Sequence, residues 1–177
     1  MKLLFKASMI SMISILFITF NAHAQNMGKS NKNMDINFPQ KAYSGGMMEV
    51  KLGKLAQQKA SSYKVKEFGE RMISDHSKGN EELKSIAQKN NIPLPDSMLS
   101  KNRELYNDLS QYNGSEFDKH YMDKMVEDHK SDIKEFEDAS KNADNQEIRD
   151  WAKKILPVLK QHLELAQQTQ AELSQNK

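Results

Sequence analysis

The sequence contains no cysteine, only four prolines and seven glycines, and its aromatic content is 7%. Without cysteine, the chain cannot form disulfides, thiolate metal sites or a lipid-modified cysteine. No stretch shows a sustained strand pattern, which argues against a β-sheet fold. A glycine-rich phosphate loop, a His-Glu-x-x-His zinc helix and a nucleophile elbow are also missing. The sequence therefore favours a helical protein and leaves open whether it is an enzyme, with a non-enzyme the favoured alternative.

The first 24 residues form a unit typical of a cleaved secretory signal, with an uncleaved anchor as the alternative. Lys2 and Lys6 precede an apolar run from Met9 to Phe20, and Ala22-His23-Ala24 follows it. The run is too short for a comfortable membrane span, which needs about 20 residues. We expect an exported, periplasmic protein with no stable membrane insertion after cleavage, and an association with the outer membrane stays open.

Charge is balanced once this signal is set aside. Without Lys2 and Lys6, the number of basic residues falls from 26 to the same number as the acidic residues, 24. A nucleic-acid partner would need a concentrated basic face, so we expect none. The sequence does not identify a protein partner.

Apolar residues recur at helical spacing in four long stretches of the chain. They predict helices over residues 41–60, 63–89, 115–142 and about 144–173, with a short helix at 100–109 in the connection between the pairs. Residues 25–40, rich in Asn, Lys and Gly, are predicted to be a flexible lead without a fold of its own. The prediction is an all-α four-helix bundle over residues 41–173.

A motif of the form Met-x-x-Asp-His occurs twice in the predicted helices. It begins at Met72 and again at Met125, so that His76 and His129 are 53 residues apart. At about 100° per residue, each histidine lies on the apolar stripe of its helix, where a leucine is usual. His162 lies near the middle of the stripe of the last helix, whereas His120 is predicted to face solvent.

Glu49, at the edge of the stripe of the first helix, completes a candidate metal site with His76, His129 and His162. Asp75, Asp128 and Asp132 are candidate supporting residues that would orient the imidazoles or serve a neighbouring helix. Counting residues from the turns places His162 about 7 Å deeper than His129. A shared site therefore requires helix tilt or a bend at Pro157.

Three interpretations of these residues stay open. The first is a metal site for zinc, iron or copper; Met72 and Met125 favour copper if they are ligands rather than core filling. The second is a metal-free structural or interaction module whose core histidines are satisfied by acids and water. The third is a metal-dependent redox enzyme.

Four segments together resemble one family of exported bacterial proteins of unknown function, the domain of unknown function 4142. They are Gly45-Gly46-Met47-Met48-Glu49, Arg71-Met72-x-x-Asp75-His76, Tyr121-x-x-x-Met125-Val126-x-Asp128-His129 and Leu156-Pro157-x-Leu159-x-x-His162. Members are often labelled predicted outer-membrane proteins. The resemblance implies a ferritin-like four-helix fold and export, with no established reaction, and a role in a stress response is a further hypothesis.

Overall fold

The computed structural model describes residues 21–175, so that most of the predicted export signal, residues 1–24, lies outside the described residues. This range forms five helices: α1 Asn21–Lys59, α2 Tyr63–Lys89, α3 Ser100–Leu109, α4 Gly114–Asn142 and α5 Gln146–Gln175. It contains no strand apart from one isolated bridge, and no helix within it combines the length and apolarity needed to cross a membrane. The prediction of an all-α helical bundle is confirmed.

The four long helices form a bundle in which α1 packs along α2 and α4 packs along α5. At one end, Ala60 after α1 forms a bridge with Gly114 at the start of α4. At the other end, Asn145 between α4 and α5 donates to Asp35 of α1 and to Asn90 after α2. Therefore α1 and α5 run in one direction, while α2 and α4 run in the other. The connection after α2 must travel the length of the bundle, and α3 lies within it.

The segment predicted as a flexible lead, residues 25–40, belongs to α1. Phe38 is buried, and its ring lies 4.9 Å from that of Phe136 and 6.0 Å from that of Trp151 between centroids. The first helix therefore begins well before the predicted start at Lys41. The prediction was wrong because it used local composition alone. The aromatic rings that bury Phe38 belong to α4 and α5, and local composition does not reveal them.

Two glycines allow α1 and α2 to approach closely beside the candidate site. A Cβ atom at Gly69 would lie 2.8 Å from the Cβ of Ala56, and one at Gly53 would collide with the carbonyl oxygen of Gly69. Gly53 is one turn after Glu49, and Gly69 is two turns before His76. This close approach brings the glutamate and the histidine of neighbouring helices within reach of each other.

The apolar core consists of two clusters of buried residues that lie along the bundle axis. One contains Met48, Leu52, Phe68, Met72, Tyr121, Met125 and Ala166, among others. The other contains Phe38, Leu83, Phe136, Trp151 and Leu159, among others. On α2, α4 and α5 the candidate site residue falls between these two sets, and on α1 Glu49 lies next to Met48, at the border between them. The candidate site is thus a polar layer between two apolar halves of the core.

Candidate metal centre

Each of the four long helices contributes one polar side chain to this layer. Glu49 comes from α1, His76 from α2, His129 from α4 and His162 from α5. His129 and His162 are fully buried, Glu49 is 1% exposed, and the His76 side chain is 12% exposed. The three imidazole rings lie 5.3 to 5.9 Å apart between centroids. One ring nitrogen of each lies within 4.8 Å of the others.

The predicted depth difference between His129 and His162 does not occur, since their ring centroids are 5.4 Å apart. Side chains on a helix lean towards its amino terminus, and α4 and α5 are antiparallel. His129 therefore leans away from the turn that joins the two helices, and His162 leans towards it. These opposite tilts reduce the offset between the rings, and counting Cα positions alone does not include them.

One nitrogen of each imidazole is held by a hydrogen bond. The Nδ1 of His129 donates to the carbonyl oxygen of Met125 over 2.9 Å. The Nδ1 of His76 lies 2.9 Å from Oε2 of Glu49, and the Nε2 of His162 lies 2.9 Å from Oδ2 of Asp75. These contacts fix the orientation of all three rings and assign the proton of each neutral ring to the bonded nitrogen.

The other nitrogen of each imidazole has no hydrogen-bond partner within the part of the chain that the structure describes. These atoms are Nε2 of His76, Nε2 of His129 and Nδ1 of His162. Oε1 of Glu49 is also buried without a hydrogen-bond partner. Glu49 Oε1 and His129 Nε2 lie 3.5 Å apart. With the other nitrogens protonated, all four atoms are acceptors, and such buried acceptors are costly without a donor or a cation. Three imidazole nitrogens and one carboxylate oxygen are a ligand set that fits a transition-metal ion.

The charge states of the layer follow from burial and from the glutamate. Burial opposes ionisation of Glu49, but His76 and His129 outweigh it and lower the pKa of Glu49 to about 2. Burial disfavours protonation of His76, yet the charge of Glu49 prevails and raises the pKa of His76. Burial lowers the pKa of His162 to about 4 and lowers the pKa of His129. Near neutral pH, Glu49 is therefore ionised, and His129 and His162 are neutral, the form that binds metals.

The three supporting aspartates occupy two different places. Asp75 holds His162, on the neighbouring helix, and also lies 3.4 Å from Nε of Arg71. Asp128 and Asp132 instead group with Glu49, and one carboxylate oxygen of each of the three lies within 4.8 Å of the others. Burial, and then the charge of Glu49, raises the pKa of Asp128 to about 7 and raises the pKa of Asp132 well above its usual value. This group lines a cavity of about 290 Å³ that the histidine layer also reaches.

The remaining candidates stay outside the centre. Met72 and Met125 are fully buried in the apolar core, and Met125 contributes its backbone carbonyl to the histidine layer. His120 stacks on Tyr112 with ring centroids 4.0 Å apart, away from the other histidines.

Tyr121, two helical turns before His129, is a site neighbour that the sequence analysis did not identify as one. Its buried hydroxyl has no hydrogen-bond partner among the described residues, and burial, together with the charge of Glu49, raises its pKa.

The fold and this layer define a class of protein: a helical bundle with a histidine and carboxylate cluster in its core. The chain belongs to the family described as Domain of unknown function (DUF4142), whose model matches residues 20–169. This membership agrees with the resemblance found in the sequence, and the family description specifies no activity. No curated protein and no solved structure matches the chain.

Proposed function

We propose that this protein is an exported metal-binding protein that holds one divalent transition-metal ion between its four long helices. The ligands are Glu49 Oε1, His76 Nε2, His129 Nε2 and His162 Nδ1. The observation that supports this proposal is that the four acceptor atoms face one layer of the core without partners among the described residues. Zinc, iron(II) and copper all suit such a nitrogen-rich set.

The neighbouring residues support this assignment. A metal-bound histidine usually donates its other N–H to a carboxylate or a backbone carbonyl, which fixes the tautomer. Asp75 provides this contact for His162, and the carbonyl of Met125 provides it for His129. His76 uses Glu49, whose second oxygen remains free for the ion. The second candidate function, a metal-free structural or interaction module, is favoured by the acid partners of His76 and His162.

Zinc binding by the purified protein tests the proposal. An ion that binds only the folded state stabilises it by mass action, by about 2.7 kcal/mol at a free concentration 100 times the Kd. We therefore expect zinc to raise the melting temperature at pH 7.5. The rise should shrink as the pH falls towards about 6.5 and below, because the pKa of His76 is raised and a proton on its Nε2 competes with the ion. Glu49→Gln, which keeps the shape of the side chain but removes the anionic ligand, should reduce the rise. If zinc, iron(II) and copper(I) all leave the melting curve unchanged, the structural module is the better proposal.

Export is part of the same proposal and rests on residues 1–24. The basic start, the short apolar run and Ala22-His23-Ala24 support cleavage after Ala24. We expect the mature chain to begin at Gln25 and to be released from cells by osmotic shock. Intact-mass measurement of the protein in the native host checks this, and a full-length chain retained on membranes would contradict it.

A further inference from the structure

The group formed by Glu49, Asp128 and Asp132 brings three carboxyl groups together, with one oxygen of each within 4.8 Å of the others. No hydrogen bond or ion pair joins Asp128 or Asp132 to another side chain within residues 21–175. The other acids that line the cavity are paired, Glu135 with Lys41 at 3.7 Å and Asp75 with Arg71 and His162. Lys101 lines the same cavity but forms no ion pair with the group in the described part of the chain.

Glu49 distinguishes this group from an ordinary surface cluster of acids. Its side chain is 1% exposed, and its Oε1 has no hydrogen-bond partner among the described residues. The same carboxylate contacts His76 at 2.9 Å and His129 at 3.5 Å, and one of its oxygens lies within 4.8 Å of an oxygen of each aspartate. A buried, ionised carboxylate without a full set of partners calls for a cation beside it. Because a carboxylate can bridge two ions, one glutamate can serve both groups.

We propose that Glu49, Asp128 and Asp132 form a second cation position, bridged to the histidine position through Glu49. This inference rests on the proposed function for the first ion. The second position offers only carboxylate oxygens and lines a cavity with room for water ligands, a combination that suits a hard divalent cation such as Mn²⁺ or Mg²⁺. The histidine position offers mainly nitrogen and suits zinc. The bundle thus holds two ions of different chemistry side by side.

The difference in ligand chemistry allows the two positions to be filled separately. Zinc binds nitrogen-containing sites more tightly than Mn²⁺ does, so one equivalent of zinc occupies the histidine position first. Mn²⁺ is then titrated into the zinc-loaded full chain, and the free Mn²⁺ is measured from its electron paramagnetic resonance signal. We expect the wild type to bind one Mn²⁺ per chain in addition to one zinc.

Asp132→Asn should lose the Mn²⁺ and keep the zinc, because Asp132 is not a ligand of the first ion. Asp128→Asn should behave in the same way, and it serves as the test variant if Asp132→Asn folds poorly. Glu135→Gln is the matched control, since Glu135 is an exposed acid on the same cavity and is paired with Lys41. It should bind both ions.

The outcomes separate the two proposals. If the wild type binds zinc but no Mn²⁺, only the proposal of the second position is overturned. The same holds if Asp132→Asn and Asp128→Asn both still bind Mn²⁺. Absence of binding by zinc, iron(II) and copper(I) alike overturns the proposed function. In that case Mn²⁺ bound by the zinc-free chain, and lost in Asp132→Asn, still supports a cation position at the acidic group.

Discussion

His129→Ala should lower the affinity of the protein for zinc by at least ~100-fold, because it removes one of four ligands. Structural zinc sites contribute about 10–16 kcal/mol through four ligands, which is about 2.5–4 kcal/mol for each. That share corresponds to a loss of ~100- to 1000-fold in Kd. His129 has the largest expected effect because it is fully buried and its ring is fixed by the Met125 carbonyl. No other side chain can move in to replace it without repacking the core.

Two further substitutions calibrate this result. Asp75→Asn keeps every ligand and weakens only the hydrogen bond that orients His162, so its expected loss is about 10- to 100-fold. His120→Ala removes a histidine that stacks on Tyr112 away from the layer, and it should bind zinc like the wild type. Competition titration with a chromophoric chelator measures all three affinities. Wild-type affinity in His129→Ala would show that zinc binds elsewhere on the chain.

The helix boundaries could be predicted from the sequence wherever a local signal marks them. Asn90-Asn91 and the prolines that follow end α2 at Lys89, and Ser61-Ser62 precede its start at Tyr63. The start of α1 could not be predicted in this way. Residues 25–40 lack a strong apolar stripe, and the burial of Phe38 depends on rings from helices far along the chain. The ferritin-like relationship stays a prediction from the family resemblance.

The sequence predicts which residues lie in the candidate site, but it does not predict which of them contact each other. Helical periodicity places His76, His129 and His162 on core-facing stripes, because each stripe is a property of one helix. The pairing of Asp75 with His162 depends on how α2 and α5 pack, which no single helix determines. Asp132, a candidate to orient an imidazole, instead groups with Glu49 and Asp128 and lines the cavity.

Asp128→Asn should stabilise the metal-free protein at pH 8, and this is the second large effect that the structure predicts. The pKa of Asp128 is raised from 3.8 to about 7 by burial and by the charge of Glu49. A carboxyl group with a higher pKa in the folded state binds its proton more tightly there, so its ionisation opposes folding. The penalty is absent at pH 3, grows between about pH 4 and 7, and is complete at pH 8. Asn has nearly the same shape and cannot ionise, so it removes the penalty.

The expected gain at pH 8 is about 2–4 kcal/mol, since three pKa units correspond to about 4 kcal/mol and partial exposure of Asp128 reduces this figure. At pH 4 the gain should fall towards zero. Urea unfolding of the chelator-treated protein at both pH values measures the difference. Asp138→Asn, which changes an exposed acid on the same helix, should alter stability by less than about 0.5 kcal/mol at either pH.

The sign of the change at pH 8 is decisive. Destabilisation would mean that the Asp128 carboxylate has a favourable partner in the metal-free protein, and the acidic group would then need no cation. An equal gain at pH 4 and pH 8 would show that the effect comes from packing rather than from charge. Stabilisation confined to high pH, together with loss of Mn²⁺ binding in the same variant, would show that Asp128 destabilises the metal-free protein and binds the cation in the loaded protein. Such a trade of stability for binding is expected where like charges are held together for a ligand.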